Sequence, residues 1–171
     1  MVKPFLRYMN LDQRQQIVEA KVLSIPMYGI ALYIGQNQLT KDRLTTIFMR
    51  AYKEIYAKYV PLKTKNDYIC RQVKMKTPRQ VIVQEALKFI SKVINTQRPG
   101  QIFKMISFPR RPRKNARLEI DRAPRTVKCR RSLLYKSLRQ FNNLHSSLKF
   151  LHPKIFKKII VKRKILEVPD D

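Results

Sequence analysis

The side chains best suited to chemistry in this sequence are cations that can neutralise phosphate. The 171 residues include 38 Lys and Arg against 11 Asp and Glu, which gives a formal net charge of +27 and a pI near 10.6. Most of these cations cannot pair within the chain, and they repel one another unless a polyanion neutralises them. The charge argues against an ordinary cytosolic enzyme, whose surface charges are usually balanced. It indicates nucleic acid first and an anionic membrane second.

The cations are densest in two stretches. Residues 109–131 hold ten Lys or Arg and three prolines with almost no apolar pattern, so this stretch buries too little surface to fold alone. We predict an extended basic arm that becomes ordered on a partner. A final basic helix is predicted to start at Pro153. The predicted nucleic-acid-binding residues are Arg110, Arg111, Arg113, Lys114, Arg117, Arg125, Lys128, Arg130, Arg131, Lys157, Lys158, Lys162 and Arg163.

Metal and nucleophile chemistry have little support in the sequence. Cys70 and Cys129 are nearly sixty residues apart, and no C-x2-4-C pair accompanies His145 and His152. The serines that follow His145 should point to different faces from it, and no acid that could orient the histidine is near in sequence. We therefore predict no catalytic residue, no metal and no cofactor.

A membrane span is also not expected. The longest apolar candidate, residues 22–34, is interrupted by proline and glycine and is shorter than the roughly 18 residues that a span needs. The last helix would suit an interfacial position, because lysines surround its apolar residues. The same pattern fits a helix that packs on the domain with its charges facing phosphate. We favour that interpretation, because the basic arm has no apolar face for lipid.

The elements that must position these cations are predicted to be helical. Residues 12–33 have the pattern of a helix that bends or restarts at Pro26. Thr40 is the predicted N-cap of a long amphipathic helix that ends near residues 59–61. Its predicted apolar stripe consists of Leu44, Ile47, Phe48, Ala51, Ile55 and Tyr56.

Residues 77–80 are the strongest local signal. Thr77 is a predicted N-cap, Pro78 takes the first helical position, and Gln80 completes a capping box. The predicted apolar stripe of the helix that follows is Val83, Ala86, Leu87, Ile90, Val93 and Ile94. Shorter helices are predicted at residues 66–73, 101–106 and 132–143.

The chain is therefore predicted to be mainly α, with three parts. Residues 1–106 form a small helical domain, residues 107–131 the extended basic arm, and residues 132–171 a basic tail with one or two C-terminal helices. Aromatic side chains could add stacking on single-stranded bases, although tyrosines at helical spacing more often belong to a core. The tyrosines concerned are Tyr28, Tyr33, Tyr52, Tyr56 and Tyr135.

Several short motifs also follow one another in a defined order along nearly the whole chain. They are Ala20–Tyr33 with its S-x-x-x-Y-G element, Met49-Arg50-Ala51, Lys76–Gln80 leading into Ala86–Ile90, Pro124-Arg125-Thr126, Cys129–Tyr135, Asn143-Leu144-His145 and Phe156-Lys157-Lys158. This ordered set resembles the helical thumb and tail at the C-terminal end of the reverse transcriptase of jockey/RTE-like non-LTR retrotransposons. Asn143-Leu144-His145 stands where that family commonly has Asn-x-Leu-Pro.

The resemblance implies a thumb-like domain that closes on a template–primer hybrid and holds it through backbone contacts. The polymerase chemistry of that family needs paired palm carboxylates that hold two metal ions. The adjacent acids here, Asp170-Asp171, follow a proline at the end of the sequence, where we expect them to be solvated. We therefore expect no enzyme activity, because the chain resembles part of an RNA-directed DNA polymerase without its palm, fingers or endonuclease.

Three functions remain open from the sequence. The first is a non-catalytic module that binds RNA or an RNA/DNA hybrid through phosphate contacts. The second is a structural rRNA-binding subunit of a ribosome or mitochondrial ribosome, since such proteins join a small helical domain to long basic extensions within a ribonucleoprotein particle. The third is a truncated retroelement product, or a thumb that acts beside a separate polymerase chain. The expected location is intracellular: nucleus or cytoplasm for a retroelement-derived protein, mitochondrion or cytoplasm for a ribosomal one.

Overall fold

The computed structural model of this chain describes residues 3–6, 8–57, 60–61, 64–108, 117–120, 132–149 and 151–162. Most of the backbone in these ranges is helical, which confirms the predicted mainly α class. The chain divides into two compact units, one of Met1–Ile30 and Asn37–Val81, the other of Ala31–Gln36 and Ile82–Asp171. The predicted three-part division, with boundaries after residues 106 and 131, stays a prediction.

The first unit is built from short helices around one long helix. The bounds are Lys3–Leu6 for α1, Leu11–Val18 for α2, Ser24–Met27 for α3, Gln38–Tyr56 for α4 and Asn66–Gln72 for α5. A π-helical segment, Glu19–Leu23, joins α2 to α3. The long helix α4 contacts α1, α2, the π-helical segment and α5. This helix is therefore the centre of the first unit.

The predicted interruption of the helix near Pro26 is present as a change from α-helix to π-helix and back. The chain is α-helical in α2, widens to a π-helix and returns to α-helix in α3. The π-helical turn directly precedes α3, which contains Pro26. A proline ring clashes with the carbonyl of the residue four positions earlier and lacks an N–H, so a change of helical pitch is expected there. Beyond Gly29, in the left-handed region with φ of 68°, a 3₁₀-helix spans Ile30–Gly35.

Helix α4 begins earlier than predicted. Its N-cap is Asn37, whose Oδ1 accepts the N–H of Thr40 at 2.9 Å, so Thr40 is not the cap. Phe48 lies at the centre of the buried stripe, whereas Ile47 of the predicted stripe is 46% exposed. Met49 is buried in its place, because the Cys70 sulfur of α5 lies 4.0 Å from the Met49 sulfur. The neighbouring helix thus decides which side of the stripe is covered.

Arg14 of α2 secures the C-terminal end of α4. Its guanidinium Nη1 donates to the carbonyls of Ile55 at 3.0 Å and Tyr56 at 3.4 Å, and Nε donates to the carbonyl of Met9 at 2.9 Å. The last carbonyls of a helix have no partner within the helix. A cation at that end is also stabilised by the negative end of the helix dipole. This arginine therefore has a structural role and is not part of a basic surface.

The second unit continues with helices and one small sheet. The bounds are Pro78–Thr96 for α6, of which the residues from Ile82 belong to this unit, Gly100–Lys104 for α7, Ile106–Ser107 for β1, Glu119–Ile120 for β2, Leu133–Asn142 for α8, Ser146–Lys149 for α9 and Pro153–Lys162 for α10. The two strands pair antiparallel, with Ile106 opposite Ile120 and Ser107 opposite Glu119.

The capping box predicted at the start of α6 is confirmed. The Gln80 N–H donates to Thr77 Oγ1 at 3.3 Å, and the Thr77 N–H donates to Gln80 Oε1 at 3.1 Å. The predicted stripe of α6 is buried as far as Val93, and Ile94 is half-buried. The core of the second unit combines this stripe with residues from both strand regions and the last helices. Its members are Val83, Leu87, Ile90, Val93, Ile106, Leu118, Leu138, Phe141, Phe156 and Ile160.

Replacing Arg14 with methionine should destabilise the end of α4. Arg14→Met keeps the apolar stem but leaves the carbonyls of Ile55 and Tyr56 without their charged donor. We expect the free energy of opening at this end to fall by about 1–3 kcal/mol, measured by hydrogen exchange of the amides in the last turns of α4. Arg43→Met, on the exposed side of the same helix, should change it by less than about 0.5 kcal/mol. Equal effects of the two substitutions would contradict the role given to Arg14.

Candidate nucleic-acid interface

Helix α10 carries cations on the face opposite to its core contacts. The ring of Phe156, which is 1% exposed, packs on that of Phe141 with ring centroids 6.0 Å apart. Ile160, one turn later, is buried in the same core. Successive residues of an α-helix are rotated by about 100°, so Lys154 and Lys158 lie one turn apart on the opposite side, where both are exposed. Helix α10 therefore presents a line of ammonium groups to solvent.

The residues before α10 determine where this line starts. Nδ1 of His152 accepts the N–H of Lys154 at 3.3 Å, and the His152 carbonyl accepts the N–H of Phe156 at 2.9 Å. Pro153 takes the first helical position, where its missing N–H costs no hydrogen bond. Lys154 consequently lies in the first turn, at the positive end of the helix dipole, where a cation is unfavourable. A bound anion would relieve this placement.

Arg117 is held in place through its neighbour, Leu118. The Asn142 side-chain Nδ2 donates to the Leu118 carbonyl at 2.8 Å, and Oδ1 accepts the Leu118 N–H at 3.0 Å. The side chain of Leu118 is 2% exposed and belongs to the core of the second unit. The next two residues form β2, which pairs with β1. The backbone that follows Arg117 is thus anchored, while Arg117 itself is exposed.

The predicted binding residues fall into two groups. Arg117, Lys157 and Lys158 are exposed in the second unit, and Lys162 ends α10. The other predicted residues lie outside the described residues. They are Arg110, Arg111, Arg113, Lys114, Arg125, Lys128, Arg130, Arg131 and Arg163.

Sequence reasoning missed Lys149, the last residue of α9. Only 5% of this lysine is exposed, and the adjacent Leu148 is also buried. Burial, and then the charge of Arg117, lower the pKa of Lys149. The available signal was weak, since Lys149 is simply a charged residue within the apolar run of residues 148–151. A lysine at a helical surface position usually extends into water, and only the packing shows that this one does not.

The tyrosines proposed for stacking have different environments. Tyr52 is 1% exposed, and its hydroxyl donates to the Lys76 carbonyl at 2.9 Å, so it belongs to the core of the first unit. Tyr28 is 91% exposed, against the expectation that tyrosines at helical spacing are usually core. Tyr33, Tyr56 and Tyr135 are half-buried. Of this set, Tyr28 is the side chain with a free ring face for a base.

No metal centre forms within the part of the chain that the structure describes. No group of three or more His, Cys, Asp and Glu there is arranged to hold an ion. Cys70 is buried, and burial, with a smaller effect from Asp67, raises the pKa of its thiol from 9.0 to about 11. The thiolate is the metal-binding form, so Cys70 is a poor ligand at neutral pH. Cys129 lies outside the described residues.

The serine and histidine near residue 146 are closer together than the sequence suggested. Ser147 Oγ lies 2.8 Å from His145 Nδ1, which corrects the expectation that these side chains diverge. The same Nδ1 accepts the Ser147 N–H at 3.4 Å, and the His145 carbonyl accepts the N–H of Leu148 at 3.0 Å. The pair therefore caps the short helix α9. A nucleophile also needs a third group that orients the base, and no described contact to His145 provides one.

No family model, curated protein or solved structure matches this chain. The resemblance to a reverse transcriptase thumb and tail therefore remains a prediction from the motifs. Within the described ranges, no helix combines the length and the apolar character that crossing a bilayer requires. The exposed basic residues of the second unit are therefore the feature of the structure that bears on function.

Removing the Asn142 side chain should release the segment that carries Arg117. In Asn142→Ala the backbone N–H and carbonyl of the buried Leu118 lose their hydrogen bonds to the Asn142 side chain. Each buried polar group that is left unpaired costs about 1–3 kcal/mol. We expect hydrogen exchange of the Leu118 amide to accelerate by about tenfold or more, measured by NMR. Asn143→Ala changes an exposed neighbour and is the matched control. An unchanged Leu118 amide in Asn142→Ala would show that the two hydrogen bonds do not hold this segment.

The Cys70 thiol should be protected from alkylation in the folded chain. Its titration should also make the free energy of unfolding depend on pH in the alkaline range. In a Cys129→Ser variant, the thiolate fraction at pH 8 should be about a hundredfold lower in the folded than in the unfolded chain, from the two-unit difference in pKa. Iodoacetamide labelling should slow at least as much. Between pH 9 and pH 11 the unfolded thiol loses its proton while the folded thiol retains it, so stability should fall as pH rises. Equal labelling rates with and without urea would contradict this.

Proposed function

We propose that this chain binds RNA or an RNA/DNA hybrid through backbone phosphates, without catalysing a reaction itself. The proposal is supported by the orientation of α10. The helix uses Phe156 and Ile160 in the core of the second unit and presents Lys154, Lys157 and Lys158 to solvent. A ligand that meets this face therefore meets ammonium groups, which are suited to phosphate.

The same orientation argues against a lipid surface as the main partner. An interfacial helix inserts its large apolar side chains into the headgroup region. In α10 the largest of these, Phe156, is fully covered by the protein. Ile155 and Val161 are about half-exposed, and they are the feature that an anionic membrane could use. The two partners are therefore separable by experiment.

Binding of this kind should be largely independent of base sequence. Phosphate contacts fix the orientation and register of a nucleic acid without reading its bases. The net charge of +27 adds long-range attraction that increases the rate of association at low salt. A module of this type corresponds to the thumb and tail that the motifs resemble, which hold a template–primer hybrid by its backbone.

Neutralising the exposed lysines of α10 should reduce the salt dependence of binding. In Lys154→Gln/Lys157→Gln/Lys158→Gln we expect the slope of log affinity against log salt to flatten by about two to three units, at about 0.9 per lost duplex phosphate contact. The slope is measured by fluorescence anisotropy with a short RNA/DNA hybrid. Neutralising Arg110, Arg111 and Arg113 together should have an effect of the same size.

The matched control removes the same charge from the first unit. Lys21, Lys53 and Lys65 are exposed there, and replacing all three with glutamine should leave the slope within about half a unit. Equal slopes for the α10 and control variants would remove α10 from the interface. Tighter binding to phosphatidylserine vesicles than to the hybrid at equal salt would overturn the proposed function in favour of a membrane surface.

A further inference from the structure

Phe108, directly after β1, has a side chain that stays partly exposed although a second ring holds it in place. It is 42% exposed. The ring of Phe103, on α7, packs against it with ring centroids 5.4 Å apart and planes inclined by 44°, which is within the range that aromatic pairs prefer. Phe103 is itself half-buried against the core of the second unit. The protein therefore supports the Phe108 ring and leaves part of it in water.

The backbone before Phe108 is fixed as well. Ile106 lies opposite Ile120 in the antiparallel pair of β1 and β2. The side chain of Ile106 is buried in the core of the second unit, so β1 cannot shift without exposing it. A ring that is held by a second ring and follows a paired strand has little freedom left to lose when a ligand covers it.

The charges at this end of the two-stranded sheet favour an anionic ligand. Because β1 and β2 are antiparallel, Phe108 and Arg117 lie beyond the same end of the sheet. Arg117 is exposed, and so is Lys104, the last residue of α7. Phe108 also directly precedes residues 109–131, which hold ten Lys or Arg. Glu119 is the one acid of the two strands. An exposed ring among so many cations suits a ligand that is both aromatic and anionic.

We propose that Phe108, supported by Phe103, is a stacking site for an unpaired base of the bound nucleic acid. The site rests on the proposed function, and it adds a single-stranded segment to the duplex phosphates that α10 would hold. Stacking of bases on aromatic side chains tolerates any sequence, because every base has a π-face. The exposed cations Lys104 and Arg117 are available to the phosphates on either side of the stacked base.

Two more exposed aromatic side chains lie in the first unit and lack this support. Tyr28 is 91% exposed and Phe5 is 69% exposed, so each touches little of the protein and has more freedom to lose on binding. The ring pairs between described residues do not include Phe5. Phe5 is therefore a matched control for Phe108, with the same side chain and greater exposure.

The first experiment detects stacking directly. The sequence contains no tryptophan, so Phe108→Trp introduces a single indole into the full chain. A short single-stranded oligonucleotide at micromolar concentration should quench the indole emission by about twofold or more. An abasic oligonucleotide of the same length keeps the phosphates and should not quench it. Phe5→Trp should respond to neither. A free nucleoside monophosphate should quench the Phe108→Trp indole only at much higher concentration, because it lacks the neighbouring phosphates.

The second experiment separates stacking from support of the fold. Phe108→Leu keeps an apolar contact for Phe103 and removes the π-face, so the affinity for the single-stranded oligonucleotide should fall about five- to tenfold. The slope of log affinity against log salt should not change, since no phosphate contact is lost. Phe108→Tyr keeps the ring and should bind within about twofold of the parent chain, as should Phe5→Leu. A purely structural role would weaken binding of the abasic oligonucleotide equally. Affinities are measured by fluorescence anisotropy.

The outcomes distinguish the stacking site from the wider proposal. If the chain binds the hybrid but the indole of Phe108→Trp is not quenched, or Phe108→Leu loses no affinity, the stacking site is wrong while the proposed function stands. Quenching by the free nucleotide at the same micromolar concentration would overturn the polynucleotide site in favour of a nucleotide site. A response to phosphatidylserine vesicles without one to the oligonucleotide would overturn it in favour of a lipid surface. If neither hybrid nor oligonucleotide binds, the proposed function fails, and the site fails with it.

Discussion

Repulsion among cations is the constraint on which the arrangement of this protein depends. With 38 basic and 11 acidic residues, the fold cannot neutralise its charges by internal pairing. It uses a few cations structurally: Arg14 binds the carbonyls at the end of α4, and Lys88 pairs with Glu85 within α6. Many others are exposed, where water screens them. A surface of this charge attracts polyanions.

The burial of apolar residues in the second unit determines which way the neighbouring basic side chains face. Phe156 and Ile160 turn one face of α10 into the core, and the helical period then places Lys154 and Lys158 on the other side. Leu118 has the same effect on Arg117, because its burial and its pairing with Asn142 anchor the adjacent backbone. Apolar burial therefore orients the cations, although it does not interact with them directly.

Among the basic residues that the structure describes, Lys149 is the one whose side chain is buried. An exposed lysine is solvated and contributes little to stability, whereas the side chain of Lys149 is 5% exposed, and burial lowers its pKa. Groups held in unfavourable environments often mark binding or catalytic sites, because the ligand supplies the missing interaction. Arg14 differs from Lys149, because its guanidinium donates to backbone carbonyls within the protein.

The sequence by itself determined the helical class, the capping box at Thr77 and Gln80 and most of the stripe of α6, because these depend on helical period and on contacts between residues that are close in the chain. It also determined the net charge of +27. Only the tertiary structure decided that Ile47 is exposed while Met49 is buried, that Asn142 anchors Leu118 next to Arg117, and that Lys149 is buried. Each of these depends on which residues distant in sequence pack together, and a periodic pattern carries no information about such neighbours.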